Sequence, residues 1–136
     1  MKIGVIGAGG RMGQKILGLL NENKNIQITA AIDVPNSKLL GQKVFSDLDL
    51  VYSSDLNSVV SFADVFIDFT APAATINNLK IISDNKKAIV IGTTGFSDEQ
   101  ISFIKETSKK IPIVFSPNMS IGVNDFLKFW QILRNY

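Results

Sequence analysis

Glycines near the start of the chain, followed by an acid further on, are the residues whose spacing points most directly to chemistry. Gly7-Ala8-Gly9-Gly10-Arg11-Met12-Gly13 follows at once on Lys2-Ile3-Gly4-Val5-Ile6, which reads as a short buried strand. The spacing fits G-x-G-x-x-G at Gly7 and Gly9, and also G-x-x-G-x-x-G at Gly7, Gly10 and Gly13. A helical stripe of Met12, Ile16, Leu17 and Leu20 comes next. Glycine lets the backbone turn sharply and lets an anion come close. A helix that starts there offers free N–H groups and a partial positive charge. Strand, glycine turn and helix is the order a dinucleotide pyrophosphate requires, although a tight turn of an ordinary α/β domain has the same look. The second marker is an acid about 20 residues on, at the end of the next strand. Ile26-Gln27-Ile28-Thr29-Ala30-Ala31-Ile32 reads as that strand and Asp33 ends it. A carboxylate there can accept hydrogen bonds from adenosine ribose hydroxyls.

The elements that must hold these residues alternate along the chain. Pro35-Asn36-Ser37 marks a turn, residues 36–54 read as mostly loop, and Asp55 to Ser61 as a short helix. Ala63 to Phe69 reads as a buried strand. Thr70 is the expected cap of the next helix, with Pro72 in its first turn and Ile76, Leu79 and Ile82 as its stripe. Ala88-Ile89-Val90-Ile91 and Ile113-Val114-Phe115 read as further strands. Ser97 and Gln100 form a capping-box pattern between them, opening a helix with Ile101 and Ile104. Alternation of this kind predicts a doubly wound parallel sheet of Rossmann type, with about six strands in three layers and right-handed crossovers. Residues 1–136 then form one such domain. In these sheets ligands bind beyond the C-terminal strand ends. Those ends carry Gly7 to Met12, Asp33, Phe69-Thr70, Gly92-Thr93-Thr94 and Ser116 to Met119.

Two of those ends are distinctive. Gly92-Thr93-Thr94-Gly95-Phe96 sets two hydroxyls and open backbone N–H groups beside the expected ribose and nicotinamide, or is a structural loop. In Ser116-Pro117-Asn118-Met119-Ser120, Asn118 suits a carboxamide or a carboxylate, and equally a plain turn. The last expected helix, from near Ser120, is apolar around more than half its circumference through Phe126, Leu127, Phe129, Trp130, Ile132 and Leu133. Something beyond the chain is expected to cover its second face, which reads as a chain cut at or near a domain boundary.

Composition narrows the classes. The chain has 136 residues, 46% hydrophobic and 19% charged, with net charge +2. That excess is too small to argue for nucleic acid; Lys86-Lys87 and Lys109-Lys110 sit where helices should end and favour their dipoles. With no cysteine and no histidine, disulfides, thiolate nucleophiles and cysteine metal sites are excluded. The commonest neutral-pH acid/base and metal ligand is absent too. No apolar run approaches a membrane span, and the chain begins directly in a strand. A cytoplasmic protein with no membrane or nucleic-acid partner and no metal is the expectation.

At this point the sequence resembles the dihydrodipicolinate reductase family. The resemblance rests on Gly7 to Gly13, on Asp68-Phe69-Thr70 with Pro72 and Thr75, on Gly92 to Phe96, and on Asn118-Met119-Ser120-Ile121-Gly122-Val123-Asn124. The GTTGF and N-x-S-x-G-V-N stretches are far more specific than the glycine loop. The resemblance implies that Gly7, Ala8, Gly9, Gly10, Arg11 and Met12 hold a pyrophosphate. It implies that Asp33 holds the adenosine ribose, with Phe69 and Thr70 also at the cofactor. Gly92, Thr93 and Thr94 would flank the nicotinamide, and Ser116, Pro117, Asn118 and Met119 would close over it. The family transfers hydride from NADH or NADPH to a cyclic unsaturated dicarboxylate on the route to diaminopimelate and lysine, and its members are homotetramers.

The departures are equally informative. The family's second domain carries E-x-H-H-x-x-K-x-D-x-P-S-G-T, which supplies the proton donor and the substrate-binding basic groups. A chain without histidine does not contain it, so no catalytic residue is expected here. Members that bind a 2′-phosphate often have arginine after the ribose acid, where this chain has Val34. NADH preference is the expectation, softened by Lys38. Two other readings stand beside this one: a non-catalytic nucleotide-binding module or gene remnant, and the nucleotide domain of another two-domain reductase of homoserine or aspartate dehydrogenase type.

Overall fold

The computed structural model describes residues 1–116. Strand β1 (Lys2–Ile6) leads through the glycine turn into α1 (Arg11–Asn21), and β2 (Gln27–Ile32) follows. Next come β3 (Tyr52–Ser53), the one-turn helix α2 (Leu56–Val59) continued by a 3-10 turn over Val60–Phe62, and β4 (Val65–Asp68). Helix α3 (Pro72–Asp84), β5 (Ala88–Ile91), α4 (Asp98–Thr107) and β6 (Ile113–Phe115) complete the order. The strands form one six-stranded sheet, β3-β2-β1-β4-β5-β6, with every pairing parallel. The α/β doubly wound sheet expected from the sequence is present.

Chain order runs outward from β1 to β3, returns to the other side of β1, and runs outward again to β6. Right-handed crossovers then place the helices of the two halves on opposite faces. Two apolar clusters mark those faces. Leu17 of α1 packs with Val5, Ala8, Ile28, Ala31 and Tyr52 on one. Leu79 and Ile82 of α3 and Ile104 of α4 pack with Ile6, Ile32, Phe66, Ile89 and Ile91 on the other. Burial of each large aliphatic side chain contributes about 2 kcal/mol, so these clusters hold the layers together. The β1–β2 ladder slips by one residue, with Ile3 opposite Ile28 but Gly4 opposite Ala30. Thr29 is the extra residue of this bulge. The slip puts Ile28 and Ala31 on the same face despite their odd spacing, which strict alternation does not predict.

Several local expectations change. Met12 does not join the apolar stripe of α1: it is 47% exposed, and Gly13 is buried in its place. A Cβ on Gly13 would strike the Gly7 carbonyl oxygen and the Ala8 backbone. The helix therefore lies directly on the turn, and Gly13 is required there for close packing. Thr70 does not cap α3. Ala71 takes that position without a side-chain bond, Pro72 stands in the first turn, and the buried side chains are Thr75, Leu79 and Ile82. Residues 36–54, read as mostly loop, contain β3, and Leu39, Val44, Phe45, Leu48 and Leu50 pack against the α1 cluster. The capping box at Ser97 and Gln100 is formed as expected. The helix expected from Ser120 lies outside the described residues.

No helix among the described residues is long and apolar enough to cross a membrane, and no group of acidic side chains among them is arranged to hold a metal ion.

Candidate functional site: two clefts at the reversal of strand order

Because β1 has β2 on one side and β4 on the other, the connections after these strands diverge and leave a crevice above their C-terminal ends. Two clefts occupy it. The first, of about 520 Å³, is lined by Gly7, Gly10, Asp33, Val34, Asp55, Thr70 and Asn78, among others. The second, of about 260 Å³, is lined by Gly10, Arg11, Met12, Phe69, Thr70, Gly92, Thr93 and Thr94. Gly10, Phe69 and Thr70 line both, so the clefts adjoin across the start of α1.

The glycine turn is fastened to the end of β2. Gly7 and Ala8 N–H both donate to the Ile32 carbonyl, at 2.8 and 2.9 Å, and Gly10 N–H donates to the Gly7 carbonyl at 3.0 Å. Gly10 is the N-cap of α1, and no side chain caps it. The first-turn amides, which have no acceptor within the helix, therefore open toward the crevice with the helix dipole behind them. Asp33 follows β2, its N–H bonded to the Ser53 carbonyl at 2.9 Å. Its half-buried carboxylate lies where a Cβ on Gly9 would stand. Glycine at position 9 is thus a steric requirement for bringing this acid against the turn. Among the described residues, no side chain hydrogen-bonds or ion-pairs with that carboxylate.

A second aspartate behaves in the opposite way. Asp68, the last residue of β4, is fully buried. Its Oδ1 accepts from Thr70 N–H at 3.0 Å, from Thr70 Oγ1 at 2.6 Å and, less closely, from Thr75 Oγ1 at 3.2 Å and Thr93 Oγ1 at 3.4 Å. Its Oδ2 accepts from Asn78 Nδ2 at 3.0 Å. Thr93 Oγ1 in turn accepts from Thr70 N–H at 3.0 Å and Thr75 Oγ1 at 2.9 Å. This explains why Thr70 does not cap α3: its hydroxyl turns back to the strand end. A buried carboxylate needs such donors, because unpaired it would lose its hydration without replacement.

The structure also separates the two threonines of the Gly92 stretch. Thr93 is buried with its hydroxyl in the Asp68 network, whereas Thr94 is exposed. Gly92 N–H donates to the Asp68 carbonyl at 2.9 Å, and the Phe69 ring fills the space a side chain at Gly92 would need. Phe96 meets Phe115 edge-on, with ring centroids 5.5 Å apart. Ser116 N–H reaches the Ile91 carbonyl at 3.3 Å, which sets the end of β6 beside Gly92. Pro117, Asn118 and Met119 lie outside the described residues. The structure thus brings together Gly7 to Met12, Asp33, Phe69, Thr70 and Gly92 to Thr94 around one crevice. Sequence reasoning missed Asp68, Thr75 and Asn78 as a connected group; the only signal was an acid at a strand end followed by threonines. Among the described residues, the titratable group whose acidity is altered, Glu99, sits on α4 away from the clefts. There the Ser97 hydroxyl, bonded at 2.6 Å, and its own backbone N–H hold the carboxyl below its usual range.

Comparison with known proteins places the chain in a family. Residues 1–119 match the family described as dihydrodipicolinate reductase, N-terminus. A 4-hydroxy-tetrahydrodipicolinate reductase of Syntrophotalea carbinolica is 41% identical over 133 residues, covering 94% of this chain and 50% of the relative. One from Ralstonia pickettii is 39% identical over 136 residues, covering 97% and 52%. The chain therefore spans about half the length of the curated relatives it matches. Among solved structures, dipicolinate-bound dihydrodipicolinate reductase from Paenisporosarcina sp. TG-14 aligns with a TM-score of 0.84 at 26% identity, covering 100% of this chain and 54% of that one. Homoserine dehydrogenase of S. aureus, at 15% identity and a TM-score of 0.69 over 85% of this chain and 32% of its own, shares the fold alone. With its matched region running from residue 1 to 119 and through both clefts, the chain belongs to the dihydrodipicolinate reductase family and corresponds to its N-terminal part.

Proposed function

We propose that this chain is the nicotinamide-dinucleotide-binding part of a 4-hydroxy-tetrahydrodipicolinate reductase, acting in diaminopimelate and lysine biosynthesis. The observation that carries the reading is the unpartnered Asp33 carboxylate lying on Gly9, beside the uncapped start of α1. The residues present fit a dinucleotide: the cradle at Gly9 admits no side chain, and the N–H groups of Gly9, Arg11 and Met12 have no backbone acceptor among the described residues. Gly7 to Met12 hold the pyrophosphate, with Arg11 adding a full positive charge. Asp33 accepts from the adenosine ribose hydroxyls inside the larger cleft. Phe69, Thr70 and Gly92 to Thr94 form the walls of the smaller cleft around the nicotinamide, and Ser116 to Met119 close it. When bound, the cofactor supplies the hydride for reduction of a cyclic dicarboxylate. The proton donor and the basic groups that hold that substrate belong to the family's second domain. This chain alone therefore binds the nucleotide and turns over nothing, while the full-length protein is a cytoplasmic homotetramer.

NADH is the preferred form. A 2′-phosphate would approach the Asp33 carboxylate, and Val34, 55% exposed, offers it no charge in compensation. Repulsion near a protein surface favours NADH by roughly tenfold at low salt. The exposed Lys38 reduces that figure, and added salt screens it further. Titration calorimetry with NADH and NADPH at low ionic strength tests both statements. Tighter NADH binding, with the gap narrowing as salt rises, supports them. Equal dissociation constants contradict the preference, and no heat with either nucleotide contradicts the assignment.

A further inference from the structure

We propose that Asp68 is a positioning residue for the smaller cleft, one that holds the Thr70 turn and the Thr93 hydroxyl together so that the Gly92–Thr94 wall is preset before a ligand arrives. The inference rests on the nucleotide-binding reading above and deepens it. Asp68 lines neither cleft, yet its two oxygens reach residues that line each. Oδ2 accepts from Asn78 on the larger cleft, whereas Oδ1 gathers Thr70 and Thr93 at the smaller one, with the buried Thr75 behind them. The bonds join β4, α3 and the stretch after β5, three separate pieces of chain that meet at this point.

The direction of donation shows why a carboxylate stands here. An ionised carboxylate only accepts, whereas each threonine hydroxyl has a single proton to give. Thr75 can donate to Thr93, Thr93 to Asp68, and Thr70 to Asp68, which satisfies three hydroxyls in one consistent order. No lysine or arginine among the described residues pairs with Asp68. A buried charge held only by neutral donors is a poor device for stability, since apolar packing of the same volume serves a core at least as well. Its use is to fix one arrangement of the groups it binds. What it fixes is the seam shared by the two clefts, where Thr70 lines both and Thr93 lines the smaller.

The test compares two ligands on this chain: NADH, and ADP-ribose, which lacks the nicotinamide ring. Their affinity ratio isolates the smaller cleft. Asp68→Asn removes the charge and leaves the hub one acceptor oxygen instead of two, so Asn78 keeps a partner there only by turning its own amide. It is expected to reduce the NADH to ADP-ribose ratio about fivefold, the order of one ordered hydrogen bond. The double variant Asp68→Asn with Asn78→Asp restores a donor–acceptor pair and is expected to restore the ratio. A solely structural role would weaken both ligands together and leave the ratio unmoved. Should Asp68→Asn fail to fold, Thr93→Val against Thr93→Ser reads the same arm, the first reducing the ratio and the second preserving it. An unchanged ratio in Asp68→Asn, or in Thr93→Val, overturns the positioning role while leaving nucleotide binding intact. A wild-type chain that binds neither ligand overturns the nucleotide reading itself, and this inference with it.

Discussion

Asp33, just past β2, and Asp68, the last residue of β4, stand at the C-terminal ends of the two strands that flank β1, yet they serve opposite ends. Asp33 is half-buried, and no described side chain bonds to its carboxylate. Asp68 is fully buried, and five donor atoms stand within hydrogen-bonding distance of its carboxylate. The same chemical group, one residue apart in height on one sheet, is therefore a vacant acceptor in one place and a saturated hub in the other. What decides is the following chain. After Asp33 the backbone runs out over the sheet edge toward β3. After Asp68 it turns at once into α3, and Thr70, Thr75 and Asn78 come back over the strand end. Asp33 is left with an acceptor to offer, as the proposed ribose contact requires, whereas Asp68 spends its acceptors within the fold.

That contrast can be broken most sharply through stability. Asp68→Ala leaves several buried donors without acceptors and should destabilise the chain by about 3 kcal/mol in urea unfolding. Asp33→Ala should change stability by no more than about 0.5 kcal/mol. Comparable losses from the two would erase the distinction. Ligand binding should invert the order: Asp33→Ala is expected to weaken NADH binding about tenfold or more, as loss of charge-assisted bonds to a ribose would. Joining Asp33→Asn to Val34→Arg should move the NADPH to NADH affinity ratio upward by roughly tenfold, measured by competitive titration. Within the hub, Thr75→Val should lower stability by about 1.5 kcal/mol. Thr94→Val, at an exposed neighbour of Thr93, should leave it unchanged.

The smallest effect concerns a third carboxylate that belongs to neither class. Glu99 is solvent-exposed, and its pKa is lowered from 4.5 chiefly by the Ser97 hydroxyl and then by its own N–H. A depressed folded-state value means that its contribution is present above the unfolded-state pKa and is lost as pH falls through the folded one. Glu99→Gln should therefore differ from wild type near neutral pH and converge with it in acid. A difference that grows on acidification would reverse that assignment. Removing the cap itself, Ser97→Ala, is expected to cost about 1 kcal/mol.

Much of this architecture is legible in the sequence because its signals are local. Strands β1, β5 and β6 are short apolar runs bounded by turns, and the Ser97–Gln100 capping box lies within four consecutive residues. Asp33 was readable because strand, glycine turn and acid follow a fixed spacing. What was not legible depends on residues meeting from a distance. Strand β3 is two residues long and carries no period; it exists because Tyr52 and Ser53 pair with Ala31 and Ile32. The bulge at Thr29 is a property of the β1–β2 ladder. Thr70 has the composition of a cap, but the Asp68 carboxylate two residues back competes for its hydroxyl and wins. Met12 fits a helical stripe, yet the close packing of Gly13 on Gly7 and Ala8 rotates that position outward.

The most direct test of the central claim is a titration of the isotope-labelled chain with NADH up to millimolar concentration, following backbone amide resonances in wild type and Asp33→Ala. The account predicts saturable shifts centred on Gly9 to Met12 and Asp33, spreading to Gly92–Thr94, and strongly weakened in the variant. Amides of the glycine turn that stay in place throughout, or that shift equally in both proteins, would contradict it.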